Sequence, residues 1–150
     1  MKKDVVAGLG EIGLPIYKII SRNFPVHGYD TDKKLIPNNP KKFGNYPVRF
    51  LHVCIPYNKF FLPNILKLNN KFLPESIVVH STIKPKTTQN LQKKLSIPII
   101  YSPTRGVHKR MTSDLKKYAK FFALDNKIKN STLISKNYVN LMKKCGIKTK

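Results

Sequence analysis

Val5-Val6-Ala7-Gly8-Leu9-Gly10-Glu11-Ile12-Gly13 decides how this chain is read. An apolar run leads into three glycines at GxGxxG spacing, and a helical pattern follows. Val26–Tyr29 then forms a second short apolar run that ends at Asp30, seventeen positions after Gly13. A glycine triplet alone arises easily by chance. Strand before, helix after and an acidic residue about 20 positions on together make the dinucleotide-binding fingerprint. Each glycine has a physical task in it. Gly8 allows the tight turn out of the strand, Gly10 lets the backbone approach a pyrophosphate, and Gly13 lets helix and sheet pack closely. The pyrophosphate meets the unpaired amides and positive dipole end of the helix, where Glu11 and Ile12 also lie. Asp30 accepts from the adenosine ribose, with Lys33 close behind it. The competing reading is a strand–turn–helix that needs its glycines only for the turn.

The same alternation runs through the 150 residues. Apolar runs suited to buried strands are Asp4–Ala7, Val26–Tyr29, Arg49–Ile55, Ser76–His80, Ile97–Tyr101 and Lys120–Leu124. Helices are predicted over Glu11–Arg22, Lys59–Asn70, Pro85–Leu95 and Ser131–Lys144. In the first, Ile12, Ile16, Ile19 and Ile20 share one stripe, and Pro15 lies early enough to be harmless. In the last, Leu133, Ile134, Tyr138, Leu141 and Met142 form the expected buried stripe, and Gly146 stops the helix. Pro37–Pro47 reads as a loop. The expectation is α/β: a Rossmann-type doubly wound parallel sheet with helices on both faces, in three layers.

Composition narrows the class further. Hydrophobic residues at 41% and aromatics at 10% fit a globular domain. No apolar run approaches the roughly 20 residues of a membrane span, and the N-terminus has no secretory pattern, so an address in the cytoplasm is expected. Cys54 and Cys145 are isolated, without spacing for zinc. Cys54 reads as a small core residue in mid-strand. His27, His52, His80 and His108 share no ligand spacing, and His80 reads as a packed strand-end histidine. The net charge of +22 raises nucleic-acid binding as a question. The lysines are scattered in pairs such as Lys41-Lys42, Lys93-Lys94, Lys116-Lys117 and Lys143-Lys144, and no aromatic-and-basic RNA signature accompanies them. A compositionally biased, solvated surface is the expectation, not a specific nucleic-acid reader.

Three segments resemble the N-terminal domain of the UDP-glucose/GDP-mannose dehydrogenases, which oxidise nucleotide sugars with NAD. Gly8-Leu9-Gly10-Glu11-Ile12-Gly13-Leu14-Pro15 is similar to that family's GLGxxGLP. Ser81-Thr82-Ile83-Lys84-Pro85-Lys86-Thr87 resembles its STVPPGT, and Ser102-Pro103-Thr104-Arg105 its SPER. The chain departs from the pattern at Thr104, which replaces a glutamate, at Lys86, which replaces a glycine, and at Tyr57 after Pro56. The resemblance implies NAD as cofactor, hydride transfer from an alcohol carbon, and a nucleotide sugar as substrate. It implies cofactor contacts at Pro56, Ser81 and Thr82. Thr82 is the candidate catalytic residue, holding a water near the reacting carbon, or else a helix-entry hydroxyl. Arg105 is the candidate phosphate or substrate contact, or else a surface cation. Residues 1–150 are expected to be one dinucleotide-binding domain, without the family's dimerising helix, sugar pocket and nucleophilic cysteine. A second chain or a homo-oligomer would then complete an enzyme, and the alternative is a non-catalytic nucleotide-binding module.

Overall fold

Val5 and Ala7 point to one side of the first strand and Val6 to the other, and every following strand repeats this alternation with apolar residues on both sides. Strands of that kind must be covered twice. In the computed structural model, which describes residues 1–37 and 45–150, they are β1 (Lys3–Ala7), β2 (Val26–Tyr29), β3 (Val48–Val53), β4 (Ser76–Val79) and β5 (Ile99–Tyr101). All pairings between them are parallel, in the order β2-β1-β3-β4-β5. The helices are α1 (Gly13–Ile20), α2 (Phe61–Phe72), α3 (Thr87–Gln92), α4 (Met111–Lys117) and α5 (Ser131–Lys144). One core joins Val6, Phe50, Val78 and Ile100 to Ile16 and Ile20 of α1, Met111 and Leu115 of α4, and Tyr138 and Leu141 of α5. The other joins Val5, Leu51, Val53 and Ile77 to Phe61 and Ile65 of α2 and Leu91 of α3. The result is a three-layer, Rossmann-type α/β domain.

Three expectations need correction. Lys120–Leu124 is not a sixth parallel strand. Ala123 makes a single antiparallel bridge to Tyr101, while Lys120 and Phe122 turn their amides to the carbonyls of Lys148 and Lys150. The segment is shared between β5 and the C-terminal tail, so it cannot extend the sheet. Leu133 is 59% exposed and lies outside the stripe of α5, which buries Ser131 at its start instead. Helix α4 went unpredicted because its apolar stripe is only Met111 and Leu115. Most of the expected loop Pro37–Pro47 lies outside the described residues. Gly146 does close α5: at φ +75° it lets its own amide bond Lys143 and the Ile147 amide bond Met142, with Ile147 buried beside them.

A buried polar row crosses the layer under α1, α4 and α5. Arg49 grips Asp4 with two bonds of 3.0 and 2.8 Å. Burial alone would raise the Asp4 carboxyl, but contact with His52 and Arg49 outweighs it and holds the group below its usual range. His52 Nδ1 lies 2.9 Å from His80 Nε2, and His80 Nδ1 lies 3.2 Å from the Ser102 carbonyl. A carbonyl only accepts, so His80 carries its proton on Nδ1 and accepts from His52 on Nε2. Burial, with Lys120 and His52 nearby, pushes the His80 imidazole well below its usual range.

That burial has a consequence for stability. A histidine held neutral in the fold but free to charge when unfolded contributes stability above about pH 6.5, lost as pH falls below it. Stability by urea unfolding is expected to drop between about pH 6.5 and 5, by up to about 1.4 kcal/mol per pH unit for this one group. His80→Gln is expected to flatten that slope.

Candidate functional site

Because β1 has β2 on one side and β3 on the other, the loops leaving its neighbours diverge and a crevice opens at the carboxyl end of the sheet. The glycine loop lies in it. Gly8 has φ +87°, and a Cβ there would stand 2.8 Å from the Cys54 carbonyl oxygen. A Cβ on Gly13 would stand 1.6 Å from the Gly8 carbonyl oxygen. Both glycines are therefore required by the protein itself. Gly10 is different: a Cβ on it would meet nothing within 4 Å among the described residues. No side chain caps α1; the Leu14 amide bonds the Gly10 carbonyl at 3.0 Å and Pro15 has none, so the amides ahead of Leu14 are those that can face an outside acceptor.

Asp30 locks this loop to the end of β2. One carboxylate oxygen accepts from the Leu9 amide at 2.7 Å, the other from the Asp32 amide at 2.9 Å. Each oxygen keeps a lone pair for a further donor. Beside it lies a cavity of about 350 Å³ lined by Gly8, Tyr29, Asp30, Ile55, Pro56 and Lys67, among others. Lys67, three residues after Asn64 on α2, was not singled out from sequence; a lysine at that spacing looks like any solvated helix position. Lys33 sits in a short exposed turn, Lys33–Leu35, capped by Asp32, and does not line the cavity. Glu11 is exposed and paired with His108 at 2.8 Å, while Ile12 is half-buried at the helix entry.

The segments after β4 and β5 follow at the same carboxyl end of the sheet. Ser81 is buried and donates to the Ile55 carbonyl at 2.6 Å, tying β4 to β3. Thr82, next to it, is exposed. Helix α3 begins five residues later at Thr87, so Thr82 is not a helix-entry hydroxyl. Lys86, in the position where the resemblance expects glycine, holds the left-handed conformation that glycine favours, at φ +67°. Tyr57, the other departure, reaches the Thr87 hydroxyl at 3.2 Å. The Thr104 amide bonds the His80 carbonyl, stacking the turn after β5 on the end of β4. Arg105 is exposed beyond that turn, and Val107 is tethered to the buried Asp114 at 2.9 Å.

Two further groups lie beneath. Cys54 is not in mid-strand but one residue past β3, where burial pushes its thiol up to about 12, against the pull of Lys120. A thiol so raised stays protonated near neutral pH, unlike the thiolate of a reactive cysteine. Lys120 is buried and reaches up into the Ser102–Thr104 turn. Sequence reading missed it because Lys120–Leu124 looked like a strand whose first residue was incidental.

Fold and topology together define a Rossmann-type domain with a crevice at the switch point of its sheet. No family model matches the chain, and no curated protein matches it. Solved structures do. UDP-D-ManNAc dehydrogenase from Pyrococcus horikoshii superposes with a TM-score of 0.76 at 16% identity, covering 99% of this chain and 46% of that one. The UDP-N-acetyl-mannosamine dehydrogenase Cap5O from Staphylococcus aureus gives 0.71 at 16% identity, with the same coverage. Prephenate dehydrogenase from A. aeolicus, solved with hydroxyphenyl propionate and NAD+, gives 0.68 at 18% identity, covering 100% of this chain and 59% of that one. At these identities the likeness is one of fold, and the chain spans less than two thirds of each neighbour's length. Among the described residues no helix is long and apolar enough to cross a membrane.

The glycines separate by mutation. Gly13→Ala is expected to cost about 3 kcal/mol or more, at the top of the overpacking range. Gly10→Ala should leave stability unchanged within about 1 kcal/mol. Thermal and urea unfolding of the two variants check this. Lys86→Gly should raise stability by up to about 1 kcal/mol by relieving the left-handed backbone, read the same way.

Proposed function

We propose that this chain binds NAD in the crevice and serves as the cofactor domain of an oxidoreductase acting on an alcohol carbon. Gly10 carries the reading. Nothing among the described residues explains a glycine there, whereas an incoming pyrophosphate does, since a side chain would stand in its way. The residues present fit the rest of a dinucleotide. The loop Gly10, Glu11 and Ile12, which leads into the uncapped start of α1, takes the pyrophosphate. Asp30 takes the ribose hydroxyls on its free lone pairs, in the cavity with Gly8 and Pro56. Ser81, Thr82 and the Ser102–Arg105 turn border the nicotinamide end. When bound, the nicotinamide supplies the hydride acceptor.

Around it the chain's own residues orient and exclude. Ser81 is committed to the Ile55 carbonyl and shapes the floor, and the exposed Thr82 hydroxyl is placed to hold a water beside the reacting carbon. Arg105, exposed beyond the turn after β5, is the group offered to a substrate phosphate. Neither cysteine serves as the nucleophile, since burial pushes Cys54 up to about 12 and Cys145 up to about 11. A nucleotide sugar, as handled by two of the fold neighbours, would need a sugar pocket and a nucleophile from elsewhere in the polypeptide or from another chain. One observation favours a second reading, a nucleotide-binding module without chemistry of its own. Thr104 brings no carboxylate to the turn after β5, and its hydroxyl is engaged by Lys120.

Cofactor choice follows from Asp30. Two unit charges 4 Å apart repel by about 4 kcal/mol at an effective dielectric of about 20. A tenfold preference needs only about 1.4 kcal/mol. Calorimetric titration is expected to show NAD binding at least about tenfold tighter than NADP. Gly10→Val should abolish NAD binding while its unfolding curve stays close to that of the unmodified protein. Unchanged affinity in a folded Gly10→Val protein would overturn the assignment.

A further inference from the structure

We propose that Lys120 is a positioning residue: its ammonium, seated beneath the crevice, holds the Ser102–Thr104 turn in the form that borders the cofactor, and the turn is released when that ammonium is lost. The proposal rests on the cofactor reading above for its link to binding, but not for the anchor itself.

The geometry is that of a three-point clamp. Lys120 Nζ donates to the Ser102 carbonyl at 2.7 Å, the Pro103 carbonyl at 3.1 Å and the Thr104 hydroxyl at 3.2 Å. Three acceptors match the three protons of an ammonium. A neutral amine has two, and its lone pair would then oppose one of these oxygens. The side chain is brought there by the segment shared between β5 and the tail, where the Lys120 amide bonds the Lys148 carbonyl at 2.8 Å. Among the described residues no carboxylate is a partner of this buried cation, so the turn itself supplies its stabilisation. A buried cation solvated by a single turn couples the shape of that turn to its own charge.

Burial lowers the Lys120 ammonium to about 7, with Cys54 pulling the other way. The groups that face it are Cys54 from the end of β3, His80 from the end of β4 through the shared Ser102 carbonyl, and Tyr138 of α5. Tyr138 donates to the Ser102 hydroxyl at 2.9 Å. His80 is held neutral and the Cys54 and Tyr138 protons are held tightly by burial, so Lys120 is the member of this group that changes charge near neutral pH. With its folded value below its unfolded one, the buried charge opposes folding most strongly below about pH 7, and that cost fades as pH rises towards 10.5.

The test follows the turn directly. In nitrogen-15 spectra recorded across about pH 5.5 to 8.5, the unmodified protein is expected to show one protected lysine ammonium, absent from Lys120→Met. The amides of Thr104 and Arg105 should titrate with a midpoint near 7, and should not do so in Lys120→Met. NAD affinity, measured by calorimetry, should fall at least about threefold over that range in the unmodified protein and stay flat in Lys120→Met. Turn amides that ignore pH in the unmodified protein overturn the anchor, and this readout suffices if Lys120→Met does not fold. A titrating turn with pH-independent NAD affinity overturns its link to the cofactor. Absence of NAD binding at every pH sinks the cofactor reading instead, while the amide titration still decides the anchor.

Discussion

The contact between Gly13 and the Gly8 carbonyl is the constraint on which the crevice depends. The start of α1 presses so closely on the turn leaving β1 that no side chain fits between them, and Gly8 in turn lies against the Cys54 carbonyl. Cys54 donates its amide to the Ala7 carbonyl at 2.8 Å, which closes the arrangement between β1 and β3. Through Leu9 and Asp30 the same loop is bound to β2. Three strand ends are thus fixed by a few backbone contacts, and the helix start is aimed into the space between them. Gly10, unlike Gly8 and Gly13, is left with room around it among the described residues.

Beneath this runs a second constraint, the buried polar row from Arg49 and Asp4 through His52 and His80 to Ser102, Tyr138 and Lys120. It touches β1, β3, the end of β4, the turn after β5 and α5. Such a row is costly unless its members are paired; here all but His52 Nε2, which has no hydrogen-bond partner among the described residues, are held by contacts that limit the alternative arrangements. Its two ends differ in kind. Asp4 is held by a cation with matching geometry, whereas Lys120 is held by neutral oxygens of the turn after β5. The apolar layers fix the strands against the helices, and the polar row fixes the ends of β4 and β5 relative to each other.

Much of this was legible in the chain itself, where the signal is local. Val5-Val6-Ala7, the glycine spacing and Asp30 place the first strand, the turn and the acid, because strand alternation and turn chemistry act over a few residues. Gly146 ended α5 as read, since a left-handed stop is a property of one residue. The motif at Ser81–Thr87 was legible even at its departure: Lys86 keeps the backbone conformation that a glycine would favour. Thr82, read two ways from sequence, lost its helix-entry role because α3 starts later than the proline pattern suggested.

What the sequence determined by itself is therefore the alternation of the first five strands with most of the helices and the doubly wound class, which depend on periodicity and local backbone preference. Only the tertiary structure decided that Lys120–Leu124 leaves the sheet, since that rests on competition between Tyr101 and the tail for its backbone groups. Only there do Gly8 and Gly13 separate from Gly10, because steric exclusion depends on what stands opposite. Burial set the state of Cys54, His80 and Lys120 for the same reason: a charge or proton is governed by the solvent and partners around it, and residues as distant as His52, Ser102 and Tyr138 meet only when the chain has folded.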